Sequence, residues 1–555
     1  MTWSTACPDW QRRIVARESL IPAPIYPQDA ERALEIFRAL RVVDLPGRPT
    51  FGECCAPWVF DFVAAIFGAY DGETGRQLIR EFGLLISKKN TKSTIAAGIM
   101  LTALVLCWRE EEEHLILAPT KEVADNSYRP AAAMVRADEE LSDLFHVQDH
   151  TRTITHRVTR NTLKVVAADT ETVSGKKAGR VLVDELWLFG KRSNAEAMFM
   201  EALGGQVARD EGWVVYLTTQ SDEPPSGVFK ERLNYWRDVR DQRVDDRKVL
   251  GVLYEWPPEM LEAKAYLEPA NAYVTNPNIG RSVSQEWIAD QLRKHAAKTD
   301  GTLQQFLAKH LNVEIGLNLR SDRWPGAEFW QQCAAGLTLD ELLARSEVVD
   351  VGIDGGGLDD LLGLAVIGRC RDSGRWLHWA HAWAHPSVLE RRKSEAARFR
   401  DFDVDGDLTI VAEIGDDVRA LVDVIGQIHQ CGLLDRVGVD QHGIGSILDA
   451  LSEIGVDGDA VVGIAQGWKL TGAIKTLERR LAEHQVEHAG SALMAWSVGN
   501  AKVVPAGNAV TITKQAAGFA KIDPLMATLN AVTLMALNPQ PRAALDEFLA
   551  DPLVL

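Results

Sequence analysis

Two short stretches of this sequence combine residue types that suit phosphate chemistry. The first, residues 87–94 (SKKNTKST), is a basic polar loop between an apolar run at 82–86 and a helix that starts at Lys92. Such a strand–loop–helix turn gathers backbone N–H groups, and a lysine followed by a hydroxyl residue suits a nucleotide phosphate with its magnesium ion. Ser93 is the predicted hydroxyl ligand of that magnesium. The predicted nucleotide-binding residues are Lys88, Lys89, Asn90, Thr91, Lys92, Ser93 and Thr94.

The loop departs from the usual phosphate-binding pattern G-x-x-x-x-G-K-[ST]. Ile86 and Thr91 occupy the positions of the two glycines. On this stretch alone, a basic helix start with surface lysines explains the residues equally well. A second stretch has to decide between these interpretations.

That second stretch is RVLVDELWLFG, residues 180–190, which predicts a buried strand ending in Asp184 and Glu185. Two adjacent acids at the end of an apolar strand are costly unless they serve a metal or a proton. Parallel sheets bind ligands at the carboxyl ends of their strands. We expect Asp184 to hold magnesium and Glu185 to orient or deprotonate the attacking water. The alternative is an acid pair that caps the next helix.

Two further features concern the same site. The apolar run at 213–217 ends in Thr218, Thr219 and Gln220, which are expected to sense a γ-phosphate, although a simple turn explains them too. Trp58, near the start of a predicted helix at 57–70, is either a core anchor or a platform for a base. The core is favoured because large aromatic side chains are usually buried.

Three aspartates downstream, Asp354, Asp440 and Asp523, each lie at the end of an apolar run. They fall on a first strand, a later strand and a final helix, the order in which a ribonuclease-H-like sheet gathers carboxylates around two divalent cations. Oxygen ligands of this kind suit magnesium or manganese. A chance triple among 78 acidic residues is the alternative. Asp359 and Asp360 are expected to be solvated turn acids.

The elements that position these residues indicate an α/β protein of two large domains. Strands and helices alternate from 82 to 221, which predicts a mainly parallel sheet flanked by helices. Three antiparallel strands are expected at 347–357, 363–370 and 375–383, followed by alternating helices and strands. The predicted divisions are an N-terminal arm (1–50), a P-loop ATPase domain (51–250), a helical linker or lid (251–345), a ribonuclease-H-like nuclease domain (346–540) and a tail (541–555).

Composition limits the class of protein. The chain has 555 residues, 46% of them apolar, and a net charge of −18, which argues against non-specific coating of nucleic acid. Its seven cysteines form no C-x-x-C pair, and no apolar run reaches the length of a membrane span. The first residues carry charges where a signal peptide is apolar. A cytoplasmic protein with no membrane partner is expected.

Taken in order, these motifs resemble the large subunit of tailed-phage terminases. The resemblance runs from about residue 57 to 537 and rests on the loop at 87–94, the acids at 184–185 and a set of further segments. These segments are PW (57–58), ANAYVTNPNIG (270–280), FLAKHLN (306–312), GIDGG (352–356), GVDQHG (438–443), AQG (465–467), WSVGN (496–500) and KIDPLMA (521–527).

The resemblance implies ATP-driven movement of double-stranded DNA into a procapsid and metal-dependent cutting of concatemeric DNA. The implied ligands are ATP with Mg²⁺, and two Mg²⁺ or Mn²⁺ in the nuclease. The implied partners are DNA, a small terminase subunit and the portal, on which the chain forms a homo-oligomeric ring in the host cytoplasm. An ATP-driven helicase or remodeller with a non-cleaving C-terminal domain, and a non-enzymatic assembly protein, stay open.

Overall fold

The computed structural model describes residues 3–167, 178–192, 194–296, 302–315, 324–357, 360–392, 395–440, 445–506, 509–514 and 521–541. The chain divides into two compact units, Met1–Ile315 and Gly316–Leu555. The division falls inside the predicted linker at 251–345, so residues up to 315 lie with the first unit. No helix in the described ranges is long and apolar enough to cross a membrane.

The first unit is built around one sheet. Its strands are β1 (Tyr70–Asp71), β2 (Arg76–Gln77), β3 (Glu81–Leu85), β4 (Glu113–Ala118), β5 (Phe145–Gln148), β6 (Thr153–His156), β7 (Thr162–Ala167), β8 (Arg180–Asp184), β9 (Trp213–Thr218) and β10 (Val249–Leu253). Its helices are α1 (Trp10–Val15), α2 (Pro27–Ala39), α3 (Phe51–Cys54), α4 (Pro57–Phe67), α5 (Lys92–Val105), α6 (Lys121–Arg136), α7 (Glu139–Leu144), α8 (Leu186–Phe189), α9 (Ala195–Gly204), α10 (Gly227–Arg240), α11 (Pro258–Glu262), α12 (Gln285–Ala296) and α13 (Thr302–Leu311).

Eight of the ten described strands of this unit form one sheet in the order β10-β3-β9-β8-β4-β7-β6-β5, and β1 and β2 pair with each other as a separate two-stranded sheet. The run from β10 to β7 is parallel, and the last two strands are antiparallel. This confirms the predicted mainly parallel sheet. Strands β3, β8 and β9 are neighbours, so their carboxyl ends meet at one edge, where the predicted phosphate residues lie.

The second unit contains the other large sheet. Its strands are β11 (Ser346–Gly355), β12 (Leu362–Cys370), β13 (Trp376–Ala384), β14 (Leu408–Ile410), β15 (Leu434–Asp440), β16 (Val461–Ile464), β17 (Val486–His488), β18 (Ala501–Ala506) and β19 (Ala509–Lys514). Its helices are α14 (Ala327–Trp330), α15 (Leu339–Arg345), α16 (Pro386–Arg391), α17 (Ala396–Val404), α18 (Asp416–Gln430), α19 (Gly445–Glu453), α20 (Thr471–Ala482), α21 (Ala492–Asn500) and α22 (Asp523–Met535).

Strands β11, β12 and β13 are antiparallel, as predicted, while β15 and β16 continue the sheet in parallel beside β11. The last helix, α22, packs directly on this sheet, and glycines make the close approach possible. A Cβ on Gly352 would lie 2.0 Å from the Ala527 carbonyl oxygen, and one on Gly438 would lie 3.1 Å from that of Asn530. The first glycine of the GIDGG motif and the first glycine of the GVDQHG motif therefore set the distance between sheet and helix.

We expect Gly352→Ala to destabilise the second unit by about 1–3 kcal/mol or more, because the added methyl meets helix backbone that cannot rotate away. The measurement is thermal or urea unfolding. The control is Gly472→Ala in α20, where an added Cβ meets nothing within 4 Å and alanine favours the helix. Equal stability of the two variants would contradict the close-packing role of Gly352.

Candidate nucleotide and metal sites

The loop between β3 and α5, which is predicted to bind phosphate, makes its turn without glycine. Thr91, the residue before α5, has φ 59° and ψ 26°, and Lys89 has φ 73°. A residue with a side chain pays about 1–2 kcal/mol for this left-handed backbone, so surrounding contacts have to impose it. Those contacts come from a distant part of the chain.

Asparagine side chains fix the shape of the loop. The Asn90 amide is buried and donates to the Ser87 carbonyl (3.0 Å) and to Asn276 Oδ1 (2.8 Å). Asn278 returns two bonds, from its N–H to Asn90 Oδ1 (3.1 Å) and from Nδ2 to the Asn90 carbonyl (3.1 Å). The Asn-rich segment that was expected to be part of a connector thus supports the nucleotide loop, and Asn90 acts on the loop with its side chain.

The structure brings the two predicted phosphate stretches together, although they are separated by 91 positions. Ser93 Oγ donates to Asp184 Oδ2 (3.3 Å), and Ser127 Oγ donates to the same oxygen (2.8 Å). Lys92 Nζ lies 3.8 Å from Glu185 Oε1. Strand end and helix start therefore form one buried site that holds a lysine, a hydroxyl and two carboxylates.

Asp184 is the electrostatic centre of this site. Its burial, together with the charge of Glu185, raises the pKa of Asp184 to about 6, against the hydrogen bond from Ser127 and the charge of Lys92. Its second oxygen, Oδ1, is buried and accepts no hydrogen bond from the described residues. A buried carboxylate oxygen without a donor, next to the Ser93 hydroxyl, fits a hard divalent cation such as Mg²⁺.

The end of β9 faces the same site and is tied to α13. Thr218 Oγ1 accepts the backbone N–H of Trp187 (3.1 Å). The Gln220 carbonyl accepts Lys309 Nζ (2.9 Å), and the Gln220 amide donates to Glu314 (3.2 Å). Both Thr218 and Gln220 are buried. In this structure the Gln220 side chain is engaged by the segment after α13.

Trp58 lies in the core, as favoured from the sequence. It is buried, and its indole N–H donates to Asn278 Oδ1 (2.9 Å). Beside it, next to Thr91 and Thr94 of the loop, is a cavity of about 380 Å³. Its other lining residues are Val42, Asp44, Leu45, Phe51, Cys54, Cys55, Ala56, Val59, Asn278, Arg281 and Ser282. An apolar wall beside the loop is thus formed by part of the N-terminal arm, to which the sequence assigned no task, together with the residues that follow the arm.

In the second unit, the fold directs the three predicted aspartates to one region. Asp354 lies at the end of the part of β11 that pairs with β15, and β15 itself ends at Asp440. Asp523 is the first residue of α22 and lies beside Gly363. Burial, followed by the charges of Asp523 and Asp440, raises the pKa of Asp354 well above its usual range. The three carboxylates therefore repel one another.

The described residues contain no group of three Asp, Glu, His or Cys side chains close enough to hold one metal ion. The aspartates thus form an open cluster rather than a complete cage. Their oxygen chemistry and mutual repulsion fit hard divalent cations, which would neutralise the cluster.

A lysine that the sequence analysis missed lies against this cluster. Lys521 is almost fully buried, forms an ion pair with Asp360, and has a charge that opposes the raised pKa of Asp354. The expectation that Asp360 is a solvated turn acid was wrong, because its carboxylate is used by this lysine. Asp359 lies outside the described residues. Lys521 begins the KIDPLMA segment, but the sequence gives no sign of its role because its partner is 161 positions away.

We expect Lys521→Met to lower the stability of the metal-free protein by about 3 kcal/mol, because it leaves buried carboxylates without their cation. Thermal unfolding in EDTA at pH 8 measures this, and added Mg²⁺ should stabilise the variant more than the wild type. The control is Lys475→Met, which removes an exposed lysine paired with Glu478. Lys521→Met and wild type unfolding together, with or without metal, would refute the compensating role.

Fold and sites together define a class of two-part enzyme, a nucleotide-binding α/β unit followed by a carboxylate-bearing α/β unit. Family models agree: the terminase large subunit ATPase domain matches residues 57–238, and the terminase large subunit endonuclease domain matches residues 253–538. Since the endonuclease model alone spans more than half of the chain, the protein belongs to the terminase large subunit family. It is accordingly an ATPase and an endonuclease of phage DNA packaging.

Solved structures with a similar chain path include the large terminase of bacteriophage HK97. That match has 19% identity and a TM-score of 0.46, and covers 91% of this chain and 99% of that one. The large terminase of a thermophilic bacteriophage matches with 12% identity and a TM-score of 0.31, covering 84% of this chain and 95% of that one. No curated protein sequence matches the chain.

Proposed function

We propose that this chain drives double-stranded viral DNA into a procapsid by ATP hydrolysis and cuts concatemeric DNA with two divalent metal ions. The observation that carries the ATPase half is the buried convergence of Lys92 and Ser93 with Asp184 and Glu185. The nuclease half is supported by the repulsive cluster around Asp354.

In the ATPase site, Lys88, Lys89 and Lys92, with the backbone N–H groups that begin α5, bind the phosphates. Ser93 and Asp184 hold Mg²⁺, which neutralises charge on the phosphates when bound. Lys92 Nζ lies 3.8 Å from Glu185 Oε1. A phosphate that attracts Lys92 therefore leaves this oxygen for the attacking water, which Glu185 orients.

The cavity beside Thr91 and Thr94 is the proposed site of the nucleotide base. It adjoins the loop, has an apolar wall, and at about 380 Å³ has room for a purine. Trp58 supports this wall indirectly, because its indole holds Asn278, which lines the cavity and holds the loop. Thr94 on the first turn of α5 adjoins both base and phosphate regions, and Gln220 is the proposed sensor of the γ-phosphate.

In the nuclease site, Asp354, Asp440 and Asp523 are the proposed metal ligands. Two bound Mg²⁺ or Mn²⁺ ions would activate the attacking water and stabilise the leaving oxygen of a phosphodiester. Lys521 balances the carboxylates and is held by Asp360. Family membership supports the remaining assignments: a small terminase subunit and the portal as partners, a homo-oligomeric ring on the portal, and action in the host cytoplasm.

The two activities should separate by single substitution. We expect Glu185→Gln to lower the steady-state ATPase rate by about 100-fold or more, because the variant cannot accept the proton of water, and to leave Mn²⁺-dependent plasmid nicking unchanged. Asp354→Asn should do the reverse. Glu201→Gln, a change on the exposed face of α9, is the control and should retain both activities.

The opposite results have distinct meanings. Cleavage that survives Asp354→Asn would remove this cluster from the nuclease site. Wild-type protein that does not cleave DNA would favour a helicase or remodeller with a non-cleaving C-terminal domain. A wild-type ATPase rate in Glu185→Gln would remove Glu185 from hydrolysis.

A further inference from the structure

Trp187 contacts the two strand ends that form the ATPase site. It lies two residues after Glu185, and its indole N–H donates to Glu185 Oε2 at 2.5 Å. Its backbone N–H donates to Thr218 Oγ1 at 3.1 Å. The side chain is almost fully buried. One aromatic residue therefore links the proposed water-orienting acid to the end of β9.

The Glu185 carboxylate needs external support. The backbone of Glu185 is left-handed, with φ 55° and ψ 53°. This conformation is unfavourable for any residue that has a side chain, and it persists only where the surrounding structure imposes it. The two carboxylate oxygens have different neighbours, Lys92 near Oε1 and the Trp187 indole on Oε2. When a phosphate attracts Lys92, the indole is the contact that still fixes the direction of Oε1.

A buried lysine holds Trp187 from the other side. Lys309 Nζ, from α13, lies 2.8 Å from the centre of the Trp187 ring and donates to the Gln220 carbonyl at 2.9 Å. Burial lowers the pKa of Lys309 to about 7. In its protonated form the amine is an ammonium group over an indole face, which the ring attracts most strongly where water is excluded. The backbone carbonyl of Lys309 also accepts the N–H of Lys88 in the nucleotide loop at 2.7 Å. Lys309 thus contacts the phosphate loop, Trp187 and the end of β9.

We propose that Trp187 is a positioning residue that orients Glu185 for ATP hydrolysis, and that Lys309 keeps Trp187 in place. This inference rests on the proposed role of Glu185. Neither residue touches the reacting atoms; each acts through the carboxylate that Trp187 holds. The position of α13 thereby influences the rate of hydrolysis at the proposed site.

The test is Trp187→Phe, which keeps a ring under Lys309 and removes the N–H that Glu185 accepts. We expect kcat for ATP to fall about 10- to 100-fold, the usual cost of losing a group that orients a reactive one, while KM stays within about twofold. Mn²⁺-dependent nicking should be unchanged, which shows that the second unit is intact, while the unchanged KM for ATP shows that the first unit is folded. Lys309→Met should also lower kcat. Lys309→Arg, which retains the cation, should keep most of the wild-type kcat.

The matched control is Trp236→Phe. Trp236 is also buried in the first unit, and its indole donates to the Glu81 carboxylate at 2.7 Å, away from the nucleotide loop. Both Trp→Phe variants lose a buried tryptophan–glutamate hydrogen bond, so a general loss of stability should appear in both melting curves. Only Trp187→Phe should lose kcat.

Two failures can be told apart. If Glu185→Gln abolishes hydrolysis and Trp187→Phe keeps the wild-type kcat, the positioning role is wrong and the proposed function stands. If Glu185→Gln itself has the wild-type rate, the proposed role of Glu185 fails, and the inference fails with it. Equal losses of kcat in Trp187→Phe and Trp236→Phe would also overturn the inference, because they would indicate a general structural effect.

Discussion

The burial of carboxylates beside other carboxylates is the constraint on which both sites depend. Removing an ionised acid from water costs several kcal/mol unless a partner compensates it. In the first unit, Asp184 is compensated by Ser127, Ser93 and Lys92, which still leaves its pKa raised to about 6. In the second, Lys521 opposes the repulsion around Asp354. Each site thus holds an unfavourable arrangement of negative charges, which is the arrangement that a divalent cation at the proposed sites would relieve.

The nucleotide loop shows a second solution to a local problem. The loop has no glycine and still adopts a left-handed conformation at Thr91, which is unfavourable. The hydrogen bonds of the buried amides of Asn90, Asn276 and Asn278 offset that unfavourable free energy. The loop is therefore shaped by a segment about 190 positions later, and not by its own sequence. A glycine can adopt a left-handed conformation without support from other residues. Because this loop has no glycine, the loop and the 275–282 segment form one structural element.

The residues that were predicted from the sequence are those that a local pattern marks. Asp184, Glu185, Asp354 and Asp440 end apolar runs, and strand ends can be recognised from neighbouring residues alone. Asp184 and Glu185 are consecutive at the end of β8, whereas Asp354 and Asp440 lie on the adjacent parallel strands β11 and β15. The partners of these acids were not predictable in the same way. Lys521 and Asp360 are 161 positions apart, and Asn90 and Asn276 are 186 apart.

The cavity next to the loop was missed for the same reason as these pairs. Its wall combines the 42–59 region with Asn278, Arg281 and Ser282, and no pattern in either segment announces the other. The residues predicted to react are therefore recognisable from local sequence, whereas the side chains that contact them in the fold are not.

The segment from α13 to residue 315 is where these long-range contacts accumulate. Lys309 accepts from Lys88 and donates to Gln220, and Glu314 accepts from Gln220 and from Arg237 in α10. Any movement of the Gln220 side chain therefore alters hydrogen bonds of this segment. These residues are the last of the first compact unit, which ends at Ile315, and they also lie within the range 253–538 that matches the endonuclease model. The segment that contacts the end of β9 is thus packed with the first unit, while its sequence belongs to the part of the chain that matches the endonuclease family.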